Sequence, residues 1–192
     1  MAATNARERI LDAAAAVMAE RGLAAATTKQ IAAAAGYSEA TLYKNFDDKQ
    51  QIFLDVLTER MPAFRNPESL VGTSTVRANL EAIVTQLLRF YVRTFPMAAS
   101  IFATPQLLAV HREGIAGKGH GPIGPVLSVQ RYLDGEVAAA RLGARDTVAL
   151  SRLLAGAAFQ QAFLACYSAR DEVPDAEDVA RGLVAAVLPI EA

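Results

Sequence analysis

The stretch Thr27-Thr28-Lys29-Gln30-Ile31-Ala32-Ala33-Ala34-Ala35-Gly36-Tyr37-Ser38-Glu39-Ala40-Thr41-Leu42-Tyr43-Lys44-Asn45-Phe46 spells out a helix, a tight glycine turn and a second short helix. Thr27 and Gln30 form a capping box, in which hydroxyl and amide satisfy the free backbone donors of a helix start, so the first of these helices begins near Thr28. The alanine run gives it high intrinsic helicity, and Ile31 and Ala35, one turn apart, face a core. Gly36 ends it by accepting left-handed backbone, and Ser38 caps the helix that follows. Leu42 and Phe46 anchor that second helix inward. Glu39, Ala40, Thr41, Lys44 and Asn45 are left facing outward, where a major groove can meet them, so the spacing predicts a helix-turn-helix that reads DNA.

The run Gly36-Tyr37-Ser38, then Thr41-Leu42-Tyr43-Lys44-Asn45-Phe46, then Asp48-Lys49-Gln50-Gln51-Ile52-Phe53, resembles the amino-terminal domain of the TetR family of bacterial transcriptional regulators. The resemblance implies three DNA-binding helices, the third entering the major groove, and a larger helical domain for dimerisation and effector binding. By position it makes Tyr43 and Lys49 phosphate contacts, Thr28 a helix-two residue near the DNA backbone and Lys44 a groove residue. Ser38, Glu39, Ala40 and Thr41 complete the expected DNA-facing set. Two positions depart from the family's habit: Asn45 stands where an aromatic residue or histidine is common, and acidic Glu39 where a basic or neutral residue is common. Base preference therefore does not transfer.

Composition fits this reading. The chain has 192 residues, 53% hydrophobic and 20% charged. That suits an alanine-rich helical protein with extended buried faces and speaks against disorder. The single Cys166 excludes an intrachain disulfide framework. No export segment and no uninterrupted apolar stretch long enough to span a bilayer is expected, so the expected compartment is the cytoplasm, with no membrane partner. Charge is uninformative in bulk. Residues 1 to 60 hold seven Lys or Arg against eight Asp or Glu, and the whole chain is −1. Phosphate attraction then has to come from placement, with acidic groups turned away from the DNA face.

The expected architecture is all-α: a helix-turn-helix domain over 1–60, including a linking fourth helix, followed by an effector-binding and dimerisation domain over 61–192. Ile10, Leu11, Ala14, Val17 and Met18 recur at helical spacing before Gly22, which defines a first, supporting helix; Arg7 and Arg9 near its start are placed to approach DNA but read first as solvated. Asp47 or Asp48 caps the fourth helix, whose apolar residues are Ile52, Phe53, Val56 and Leu57. Lys49 in its first turn is a poor place for a cation on dipole grounds, but free amides and an ammonium together suit a phosphate.

Beyond Pro62, a helix over Val76–Phe95 carries Leu80, Val84, Leu87, Tyr91 and Phe95 on one face, with Arg89 and Arg93 solvated on the other. Residues 96–124, broken by prolines and glycines, predict a short helix and a mobile loop at 117–124. Further helices are expected over 123–142, with Val126, Leu133 and Val137 on one side, over 146–168 and over 175–188. The helix over 146–168 is apolar around much of its circumference, with Leu150, Leu154 and Ala157 on one side and Phe159, Phe163 and Cys166 opposite, more than one protomer can cover. The last two helices therefore predict a homodimer bundle.

No catalytic or metal site is expected. His111, His120 and Cys166 have no zinc spacing, no serine lies in a nucleophile elbow, and the carboxylate pairs sit where capping explains them. No cofactor is expected either. The aromatic set Phe90, Tyr91, Phe95, Phe102, Phe159, Phe163 and Tyr167 reads first as core. The family resemblance adds an effector cavity there, with His111, Gln130 and Gln160 as polar contacts and a small apolar or amphipathic ligand. The expected partners are thus a double-stranded operator, a second copy of the chain and that effector. A helical small-molecule carrier with a protein-interaction module, or a regulator without an effector, stand as alternatives.

Overall fold

The computed structural model describes residues 5–22, 25–60, 64, 66–115 and 121–188. Among them the secondary structure is entirely helical. The helices are α1 (Ala6–Arg21), α2 (Thr28–Ala35), α3 (Glu39–Tyr43), α4 (Lys49–Glu59), α5 (Val76–Phe102), α6 (Pro105–Ile115), α7 (Gly124–Ala138), α8 (Thr147–Tyr167) and α9 (Ala176–Val187), with a short 3-10 turn at Pro67–Leu70. They cluster into two compact units: Met1–Pro62 with Pro96–Lys118, and Ala63–Phe95 with Gly119–Ala192.

The first unit is built on the stripe foreseen for α1. Ile10, Leu11, Ala14, Val17 and Met18 are buried, and Gly22, at φ 76°, takes up the carbonyl of Met18 as the helix ends. Ile31, Leu42, Phe46, Ile52, Phe53 and Val56 close the same core. The unit also reclaims residues 96–118, which the expected boundary at 61 placed elsewhere. The reason is apolar: Met97 and Ile101 are buried in this core, and Leu107 and Leu108 pack against it.

Helix α5 does not stop at Phe95 as the proline rule suggested. It runs through Pro96 to Phe102. Proline deletes one backbone donor and crowds the preceding turn, at a cost near 3 kcal/mol. Burial of Met97 and Ile101 beyond it offsets that cost, each contributing up to about 2 kcal/mol. The expected short helix after it is α6; residues 117–120 of the expected loop lie outside the described residues.

The second unit's core joins Leu80, Ile83, Val84, Leu87 and Leu88 of α5 to Val129, Tyr132 and Leu133 of α7, Leu150, Leu154 and Ala158 of α8 and Ala180 and Val184 of α9. Helix α7 ends at Ala138, four residues short of the expected Leu142. Its fully buried Glu136 accepts the Gly72 N–H at 3.3 Å and pairs with Arg141 at 2.9 Å, tying the segment after the 3-10 turn to the end of α7. A buried carboxylate is tolerable only with such partners.

On α8 the inward side carries Leu150 and Leu154 among small residues: Ser151, Ala155, Ala158, Ala162 and Ala165 are buried with them. Leu153 (62% exposed), Phe159, Phe163, Leu164 and Tyr167 point out. By length and composition α8 is apolar enough to cross a membrane, although Arg152, Gln160 and Gln161 interrupt its apolar run; its buried face belongs to the second unit's core.

Candidate nucleic-acid interface

The helix-turn-helix is assembled from local hydrogen bonds. The Thr27 N–H donates to Gln30 Oε1 at 3.0 Å and the Gln30 N–H to Thr27 Oγ1 at 3.2 Å, completing the capping box. Gly36 adopts φ 75°, ψ 29° and its N–H reaches the carbonyls of Ala32 and Ala33; a side chain there would be strained. Ser38 Oγ accepts the Thr41 N–H at 3.2 Å to start α3. Leu42 and Phe46 are buried, at 0% and 3% exposure, and turn the opposite side of α3 outward.

That outward side presents Ser38, Glu39, Ala40, Tyr43 and Lys44, all exposed, with Thr41 half-buried beside them. Asn45, expected outward, is half-buried, and its amide donates to the Thr41 carbonyl at 2.8 Å; it closes the end of α3 instead of facing a groove. Thr28 is half-buried too, and its hydroxyl donates to Glu39 Oε1 at 2.7 Å. The acidic residue that departs from the family pattern therefore links α2 to α3. Asp48, not Asp47, caps α4, accepting the Gln51 N–H at 2.8 Å. Lys49 follows at the first position of α4, its ammonium 4.9 Å over the Phe53 ring. The aromatic face holds the cation at a helix start that otherwise repels it.

The sequence reading missed Arg7 and Arg9. Arg7 donates to Asp55 at 2.7 Å and to Glu59 at 2.6 Å, and Arg60 donates to Asp12 at 2.7 Å and pairs with Glu8. This double clasp joins α1 to α4. It holds the Glu59 carboxyl below the usual carboxylate range, chiefly through the Arg7 hydrogen bond, and raises both guanidinium pKa values. It also resolves the charge puzzle. Glu8, Asp12, Asp55 and Glu59, half of the eight acidic residues in 1–60, are spent on two arginines of the α1–α4 face. Arg9 is likewise engaged: it donates to the Ala35 carbonyl at 3.2 Å and lies 5.1 Å from the Tyr37 ring centroid.

The expected effector residues fall into two groups. Phe102 and His111 belong to the first unit, and burial lowers the His111 pKa. In the second unit the aromatic rings touch in sequence: Phe64–Phe90 at 5.9 Å, Phe90–Tyr91 at 5.4 Å, Tyr91–Phe159 at 5.4 Å, Phe159–Phe95 at 5.7 Å, Phe95–Phe163 at 5.6 Å and Phe163–Tyr167 at 6.1 Å. Burial pushes the Tyr91 phenol up to about 12. Gln130 is half-buried on α7 and Gln160 exposed on α8. Two clefts of about 380 and 630 Å³ in this unit are lined instead by charged side chains, among them Arg89, Arg93, Glu177 and Arg181. Arg89 pairs with Glu177. Among the described residues no His, Cys, Asp and Glu side chains gather as a metal site.

A capped helix, a left-handed glycine and a short exposed helix on a common core define a helix-turn-helix protein. Residues 10–56 match the model of the bacterial regulatory proteins of the tetR family, so the amino-terminal domain of this chain is that of the TetR family. Over 81 residues the chain is 40% identical to the HTH-type transcriptional repressor KstR2 of Rhodococcus jostii (strain RHA1), a match covering 41% of this chain and 40% of that protein. The chain thus spans about two fifths of that relative. The whole fold resembles a TetR-family transcriptional regulator from Mesorhizobium loti (TM-score 0.78, 19% identity, 94% of each chain). It also resembles the transcriptional regulator FadR from Bacillus subtilis in complex with stearoyl-CoA (TM-score 0.66, 19% identity, 92% of this chain and 96% of that one).

Proposed function

We propose that this protein is a homodimeric, cytoplasmic DNA-binding transcriptional regulator, a repressor that leaves an inverted-repeat operator when a small apolar or amphipathic ligand binds. The observation that carries the reading is the exposed face of α3 within the TetR-type domain: Glu39, Ala40, Tyr43 and Lys44 stand out on a helix anchored by buried Leu42 and Phe46. In this reading Tyr43 and Lys49 contact phosphates, and Ser38, Glu39, Ala40, Thr41 and Lys44 meet base edges. Thr28 turns from Glu39 towards the DNA backbone.

Dimerisation is supported by the outward apolar side of α8. Leu153, Phe159, Phe163, Leu164 and Tyr167 lie along one helix, and a second copy across a twofold axis covers them while pairing two recognition helices. The effector is supported by the FadR likeness, whose solved complex holds stearoyl-CoA, and by the aromatic ladder from Phe90 to Tyr167. One observation favours regulation without an effector: the ladder's rings already fill one another's edges, and the two clefts are charged.

Selection of genomic fragments by the purified protein tests the reading. Enrichment of one inverted repeat is the expected result; no enrichment over random fragments overturns it. Calorimetry with stearoyl-CoA, with and without the selected operator, then separates the two forms of regulation. A ligand that weakens operator binding tenfold must bind tenfold more weakly to the DNA complex, about 1.4 kcal/mol of coupling.

A further inference from the structure

Helix α3 has only five residues, too few to hold a direction of its own, so its orientation is inherited from the segments at either end. Both ends are held from α1. At the leading end, Arg9 Nη2 donates to the carbonyl of Ala35, the last residue of α2, at 3.2 Å. The guanidinium lies over the Tyr37 ring at 5.1 Å, and Nη1 donates to the Tyr37 hydroxyl at 3.5 Å. A Cβ on Gly36 would stand 3.5 Å from Nη2, so a side chain at the left-handed position would meet the guanidinium. Arg9 therefore grips the two residues that flank Gly36 in the turn, Ala35 and Tyr37. At the trailing end, Arg7 stands 5.6 Å from the ring centroid of buried Phe46, while Asp55 and Glu59 fix its other edge. Residues two apart on a helix point to opposite sides, which lets the two arms diverge to the two ends of α3.

We propose that Arg9, acting through Tyr37, is a positioning residue for sequence recognition: it braces the turn that aims α3, with Arg7 as the opposing arm. The proposal rests on the DNA-binding reading. Bidentate contacts to base edges depend on geometry, whereas phosphate contacts tolerate small tilts. Loosening the brace therefore lowers discrimination more than affinity for DNA in general. Tyr37 supplies the stacking face, and its hydroxyl adds only a long hydrogen bond.

The test uses the full-length protein as Arg9→Gln, Tyr37→Leu and Tyr37→Phe, the last keeping the ring. Binding is measured to the selected operator and to a random duplex across a salt series, and amide hydrogen exchange is followed in the free protein. In Arg9→Gln and Tyr37→Leu the ratio of operator to random affinity falls about tenfold, entirely on the operator side, with the salt slope unchanged. Exchange at residues 37–43 accelerates in the same two variants while the second unit stays as in wild type, and Tyr37→Phe remains within about twofold of wild type. A salt slope smaller by about one, with equal losses on both duplexes, makes Arg9 a phosphate contact and overturns the proposal. An unchanged affinity ratio overturns it as well. A wild-type protein that selects no operator defeats the DNA-binding reading instead; exchange at 37–43 then tests the brace alone, and unchanged exchange in Arg9→Gln overturns it.

Discussion

Replacing Leu153 by glutamine measures how much the outward side of α8 contributes to holding two copies together. Leu153 is 62% exposed in the single chain, so about three fifths of its side chain is available to a partner. Full burial of a leucine contributes about 1.5–3 kcal/mol, which scales to roughly 1–2 kcal/mol for the exposed portion. A twofold axis counts each substitution twice, giving about 2–4 kcal/mol per dimer, or roughly 25- to 700-fold in dissociation constant. Glutamine keeps the helix propensity and length of the side chain, so the folded protomer survives. Sedimentation equilibrium over a dilution series reads the constant, and far-ultraviolet circular dichroism checks the fold. An unchanged constant in the variant refutes the placement of the interface on this face. A wild-type protein that stays monomeric at tens of micromolar refutes the twofold arrangement itself.

Two further outcomes follow from the first unit. Lys49→Ala is expected to weaken binding alike across sequences and to lower the salt slope by about one, whereas Lys44→Ala changes which bases are preferred; binding titrations at several salt concentrations on operator variants distinguish them. Because Arg7 depresses the Glu59 pKa, the clasp's stabilisation is present above the ordinary carboxylate pKa of about 4.3 and is lost as pH falls through the lower folded value. The thermal midpoint of Arg7→Gln should thus lie below wild type at pH 7, and the gap should close below about pH 4; a gap independent of pH counts against the ion pair as its source.

The first four helices were legible because their signals are short-range. The Thr27–Gln30 box, Gly36, Ser38 and the aspartates before Lys49 each act within four residues, and the structure uses them with one choice resolved, Asp48 over Asp47. Arg7 and Arg9 read as solvated because their partners lie between 26 and 52 residues away, at distances that no local pattern reports. Pro96 misled for the complementary reason. Its local meaning is a helix stop, but Met97 and Ile101 find a core supplied by α1, α2 and α4, and tertiary packing overrides the local preference. Spacing correctly placed Tyr91 with Phe95 and Phe159 with Phe163 on shared helix faces, yet it could not distinguish the buried ring of Tyr91 from the exposed ring of Tyr167.

The return of residues 96–118 to the first unit has a consequence for how such a chain can be cut and recombined. Each unit is woven from two separate lengths of polypeptide, and the backbone passes from one to the other three times. A scissor placed after residue 60 yields a fragment with every side chain proposed to face DNA but without Met97, Ile101, Leu107 and Leu108, whose removal strips the wall of its core. Grafting this reading head onto another body therefore requires carrying a distant patch of sequence along with it. Chimaeras that respect only the helix-turn-helix boundaries inherit an exposed apolar flank, and with it a tendency to aggregate.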